Sequence, residues 1–166
     1  MNKDLKKAQE LLNITEVHAR EMAFKIAEDE SFLSIRKMKK SAQSYSYMVE
    51  IEEIAFSNED ESKKRFHYIF TYAVGIRLVK VEEKDNEDAS SLVTVEAKFD
   101  ACYLSNQEVS KDQLDAFSQN NAGYHIWPYW REFVQSSCTR AGISPIRIPF
   151  FQFSKEPQYK LKEDSE

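Results

Sequence analysis

The sequence predicts an α+β fold, an antiparallel sheet formed first and then covered by helices from the C-terminal half. Two observations predict it. Apolar and polar residues alternate through three segments between residues 44 and 104, and from residue 110 onward apolar residues recur at spacings of three and four. A run of strands followed by helices excludes Rossmann-type and α/β-barrel folds, which alternate the two. The chain's 166 residues suit one domain with its own core. That domain is expected over residues 1–153, with a helical extension at 1–13 and a mobile charged tail at 154–166.

In chain order, Lys3 to Leu12 reads as a short amphipathic helix with Leu5, Ala8 and Leu12 on one side. Residues 14–27 fit two patterns. Ala19, Met22 and Ile26 continue a helical period, whereas His18, Met22, Phe24 and Ile26 suit an irregular strand. Three clean strands follow. Ser44 to Phe56 sets Tyr45, Tyr47, Val49 and Ile51 on one face, opposite Ser44, Ser46, Met48, Glu50 and Glu52. Arg65 to Val81 aligns Phe66, Tyr68, Phe70, Tyr72, Val74 and Ile76, and Ser91 to Leu104 aligns Val93, Val95, Ala97, Phe99, Ala101 and Tyr103. One apolar and one wetter face predict an antiparallel meander.

Ser110 with Gln113 three residues later forms a capping box before Leu114 and Phe117. That helix is expected to stop in the turn-prone run from Gln119 to Gly123. A second helix starts around Trp127, with Pro128 in its first turn, where a missing N–H has no partner to lose. Trp127, Trp130, Phe133, Val134, Cys138 and Ala141 form its apolar stripe. Gly142 supplies the left-handed stop, and Pro145 prevents resumption.

Composition narrows the function. Charged residues make up 31% and hydrophobics 42%, an ordinary soluble balance with no run long enough for a membrane span. The N-terminus lacks the apolar core of a secretory signal. Cys102 and Cys138 stand apart without a CxxC partner, which fits a reducing cytoplasm. A net charge of −5 argues against nucleic acid as a direct partner. The acidic excess between Ser41 and Asp100 reads as the wet side and connectors of the sheet.

Catalytic and metal motifs are missing. His18, His67 and His125 have no ligand spacing, and three glycines build no phosphate loop, so neither metal nor cofactor is expected. Arg131 and Glu132 read as helix-face charges, and the chain is not expected to be an enzyme.

What remains is an aromatic concentration. Tyr124, Trp127, Tyr129, Trp130, Phe133, Phe150, Phe151 and Phe153 fall within thirty residues. Trp127, Trp130 and Phe133 lie on the apolar stripe and are candidates for core. Tyr129 lies off it, and three phenylalanines after a proline cannot all face inward. With Ile146 and Ile148, these residues are the candidate lining of a hydrophobic groove.

The run WPYWREFVQSSCTRAGISPIRIPFF resembles the SecB family of export chaperones, whose corresponding helix begins with an aromatic-Pro-Tyr-x-Arg-Glu sequence, here Trp127, Pro128, Tyr129, Arg131 and Glu132. The resemblance implies that residues 17–27 form a first strand, giving a four-stranded antiparallel sheet. It also implies an ATP-independent holdase, a dimer of dimers, that binds unfolded clients in hydrophobic grooves. Members of the family serve protein export or protect the antitoxin of a toxin–antitoxin pair. Here an added N-terminal helix, and the lack of an apolar helix after the proline-containing tail, argue against docking to the SecA motor and favour an antitoxin client. A small-ligand carrier using the same aromatics is the alternative from another class.

Overall fold

The computed structural model describes residues 2–57 and 64–153. The expected charged tail at 154–166 lies outside them, as does most of the acidic connector after residue 57. The elements are α1 (Lys3–Leu11), β1 (Asn13–Ile26), α2 (Phe32–Lys37), β2 (Lys40–Ser57), β3 (Lys64–Lys80), β4 (Val93–Ser105), α3 (Lys111–Ser118) and α4 (Asn121–Ala141). One turn of 3-10 helix, Val81–Glu83, follows β3, so that strand ends a residue before the expected Val81.

The strands form one antiparallel sheet in the order β1-β4-β3-β2. The three alternating segments are a meander, as the sequence predicts. β1 is added beyond β4, so the chain crosses from one edge of the sheet to the other between β1 and β2, a Greek-key order. Residues 14–27 are thus strand, the reading the family resemblance implied. The helical period there loses to pairing: Phe24 and Ile26 lie opposite Val95 and Val93, where their side chains join the core margin. Register shifts at Thr15 and Arg20 break the alternation of β1, which is why it is hard to see locally.

One sheet face carries the core. Phe66, Tyr68, Phe70, Tyr72, Val74 and Ile76 of β3 lie beside Val93, Val95, Ala97, Phe99, Ala101 and Tyr103 of β4, and all are buried, as expected from their alternation. Helices α3 and α4 cover them, and α1 packs on α3 with Ala8 and Leu12 turned inward.

The face expected for β2 is corrected. Tyr45, Tyr47 and Val49 are exposed on the uncovered side, whereas Met48 is buried against the helices. The register shifts between Met48 and Glu50, leaving Val49 as the extra residue and returning Ile51 to the covered face opposite Phe70. Alternation groups Tyr45, Tyr47 and Val49 on one face, but the helices, not the tyrosines, decide which face is dry. On the uncovered face Arg20 grips Asp100 at 2.9 Å, Thr71 donates to the same carboxylate at 2.7 Å, and Lys98 meets Glu21 at 3.3 Å.

The capping box on α3 forms as expected, with Ser110 N–H donating to Gln113 Oε1 at 3.0 Å. The start of α4 is also corrected. It begins at Asn121, so Tyr124, His125 and Ile126 are helical, and Pro128 sits about two turns inside. The bend in this helix follows, since Pro128 offers no N–H to the Tyr124 carbonyl and its ring crowds that turn. The break between α3 and α4 is therefore only Gln119 and Asn120. Gly142, at φ 70°, closes α4 in the left-handed conformation expected of it. Helix α2, which the sequence reading missed, has its own capping box from Ser31 and Ser34.

Candidate functional site

Helix α4 runs across the covered face of the sheet and splits its aromatics between two duties. Trp130 is 2% exposed and, with Ile126, Val134 and Cys138, faces the sheet. Trp127 and Phe133 are half-buried against the same core. Tyr124 and Tyr129 point outward, 53% and 49% exposed.

The chain after Gly142 belongs to no helix or strand and returns beside α4. Prolines at 145 and 149 hold the residues before them in extended conformation. Ile146 and Ile148 are buried, which anchors the first half of the stretch. The second half is held by α4. Trp127 Nε1–H donates to the Pro149 carbonyl at 2.7 Å, and the Trp127 ring meets Phe151 edge-on, 5.3 Å between centroids. The Arg131 guanidinium lies 4.5 Å from the centre of the Phe150 ring. Tyr124 contacts both Phe151 and Phe153. Gly123 makes this approach possible: a Cβ there would stand 2.8 Å from the Phe151 ring and 3.0 Å from Tyr72.

Three open concavities surround this stretch. The largest, about 850 Å³, lies between Pro128, Arg131, Glu132 and Gln135 of α4 and residues 145–150. A second, about 350 Å³, is walled by Tyr124, His125, Trp127, Arg131, Phe150 and Phe151. A third, about 260 Å³, opens between the stretch, Trp127, Trp130 and residues 44–46 on the free edge of β2. Together they form an interrupted trough with largely apolar walls, in which Arg131, Arg147 and Glu132 are the charged residues.

The sequence-predicted residues are mostly brought together here. Tyr124, Trp127, Phe150 and Phe151 border the trough directly, Ile146 and Ile148 form its floor, and Phe153 stacks against Tyr124 and Phe151. Phe150 is 78% exposed, an unusual position for so large an apolar side chain. Trp130 only touches the third concavity from the core, Phe133 packs inward, and Tyr129 borders none of the three. Of the motif charges, Arg131 is in the trough and Glu132 on its rim. The sequence reading missed residues 44–46, because nothing local says that this part of β2 would face Trp127 and residues 148–152 across a concavity.

His125 closes the inner end. Its Nδ1 lies 2.7 Å from Tyr103 Oη, with the Phe117 and Tyr124 rings on either side. Burial pushes the His125 pKa below its ordinary value and that of Tyr103 above its own. Nδ1 and Tyr103 Oη share one hydrogen bond, whose direction follows the tautomer of the imidazole. Among the described residues no group of His, Cys, Asp and Glu could hold a metal ion.

Another concavity, of about 520 Å³, lies by Arg77. That guanidinium is fully engaged with Gln43 and with the carbonyls of Ala89 and Glu87, so it fastens the loop after β3.

No protein-family model matches the chain, and no curated protein matches it by sequence. Among solved structures it is similar to the SecB-like chaperone Rv1957 of Mycobacterium tuberculosis, solved in complex with a ChAD peptide from the HigA1 antitoxin Rv1956. The TM-score is 0.62 at 12% identity, over 91% of this chain and 98% of that one. A protein of unknown function from Streptococcus agalactiae covers 84% of this chain and 97% of its own at 8% identity, with a TM-score of 0.35 too low to carry an argument. At this identity the first likeness is one of architecture: the chain has the fold of a SecB-like chaperone.

Proposed function

We propose that the protein is an ATP-independent chaperone that holds an unfolded, aggregation-prone client along the trough beside α4, and that an antitoxin is the client it serves. The carrying observation is the trough itself. Tyr124 on α4 and Phe150 on the returning stretch stand exposed and border open concavities, on a fold shared with a chaperone solved with an antitoxin peptide. A polypeptide segment is the ligand that the open form of these concavities favours, since a small-molecule site buries most of its ligand's surface. Each apolar anchor seated there contributes roughly 1.5–3 kcal/mol before ordering costs, so single sites bind weakly and several in one assembly bind firmly.

The reading includes a homo-oligomer, a dimer of dimers. Support comes from β1, whose outer side pairs with no strand among the described residues and offers a long edge to a second copy. It also includes the absence of catalysis, in keeping with a trough lined mainly by rings and aliphatic side chains.

The test is light scattering of insulin B chain aggregating after reduction, without nucleotide. The wild-type protein is expected to suppress the signal in near-stoichiometric amount, and Tyr124→Ser, which removes an exposed ring, to suppress it less. Unchanged aggregation in excess wild-type protein would overturn the proposal.

A further inference from the structure

The chain's own residues 149–151 obstruct the trough. Phe150 borders all three concavities, Pro149 two and Phe151 two, so the stretch stands between them as a septum. It is held as a ligand is held: one hydrogen bond from Trp127 to a backbone carbonyl, a ring against Trp127, and a cation over Phe150. It pairs with no strand, and its outer residues Phe150 and Phe153 remain exposed. Its sequence, Ile146-Arg147-Ile148-Pro149-Phe150-Phe151, places aliphatic side chains two apart and then an aromatic pair, on a backbone kept extended by proline.

We propose that Pro149–Phe151 is an internal occupant of the trough, a pseudo-client that a true client displaces by lifting these residues off α4 while Ile146 and Ile148 stay anchored as the floor. The proposal rests on the chaperone reading and adds two things to it. The client is an extended segment carrying an aromatic pair, since the places vacated are those of Phe150 beside Arg131 and Phe151 beside Trp127. Its apparent affinity is lowered by the fraction of molecules in which the septum is seated, since only the open form is competent.

The experiment uses a dansyl-labelled synthetic peptide with the sequence of Ile143–Phe153, titrated into the full chain, with circular dichroism melts as a check on folding. Phe151→Ala loosens the septum by removing its inward ring. Trp127→Phe keeps an aromatic wall but deletes the hydrogen bond to Pro149. Both are expected to bind the peptide several-fold and up to about tenfold more tightly than wild type. Both should also suppress insulin B-chain aggregation at lower concentration. If the two folded variants bind the peptide equally or more weakly while wild type still suppresses aggregation, the septum is a fixed wall and the proposal fails, with the chaperone reading intact. If neither wild type nor variants suppress aggregation, the chaperone reading has failed instead.

Discussion

Trp130→Ala is the substitution that most directly tests how α4 is seated. The ring is 2% exposed and sits in the core between α4 and the sheet. A buried tryptophan removes about 150–250 Å² from water, worth roughly 4–6 kcal/mol at about 25 cal/mol per Å² as an upper bound. Truncations of this kind cost about 3–5 kcal/mol. Against a domain stability of about 5–15 kcal/mol, that is a large fraction. With a urea slope of about 2 kcal/mol per M, the midpoint should fall by roughly 1.5–2.5 M. The assay is equilibrium urea unfolding by far-ultraviolet circular dichroism at fixed protein concentration, because any oligomer would tie stability to concentration. Phe150→Ser is the control. That ring is 78% exposed, and its contact with Arg131 contributes about 0.5–1 kcal/mol at such a site, so the midpoint should move by less than about 0.5 M. Equal shifts for the two variants, or a Trp130→Ala shift below about 0.5 M, would refute the split of α4 into a core face and a trough face.

Two further perturbations follow from local chemistry. His125 is held neutral by burial, so its folded pKa lies below the unfolded value; between the two, the unfolded chain binds the extra proton, and stability falls as pH drops below about 6.5. Urea midpoints from pH 8 to 5 should show this decline in wild type and a shallower one in His125→Gln; identical slopes would remove His125 as its source. Gly142→Ala places a side chain at φ 70° and should cost about 1–2 kcal/mol, read as a lower urea midpoint, because the left-handed conformation strains an L-residue.

Much of the fold is legible along the chain because it depends on local pattern. The alternation of β3 and β4 survives into the structure, since both strands are paired on two sides and their covered faces are uninterrupted. The capping box at Ser110 and Gln113 and the stop at Gly142 act within one turn of backbone, and both appear where the residues predict them. The WPYWRE run likewise marks the helix that carries the site.

The trough was legible as a cluster and not as a shape. The exposed ring of Phe150 and the inward ring of Phe151 are neighbours of the same type, and only the course of the chain past Gly123 and Trp127 tells them apart. Trp130 and Trp127 differ in burial because a helix turns 100° per residue against a flat sheet, and the sheet's position cannot be read from α4 itself.

The sequence by itself determined the fold class: a strand meander ahead of the helices that cover it, and a long aromatic helix closed by Gly142. Tertiary structure decided the rest. Pairing with β4 made a strand of residues 13–26, which locally suit a helix as well. The bulge at Val49 and the placement of the helices turned Tyr45 and Tyr47 outward. The return of residues 145–153 along α4 made a trough from rings that the sequence could only count. The physical reason is common to all three: periodicity fixes which side chains share a face, but only a second element packed against that face determines whether it is dry.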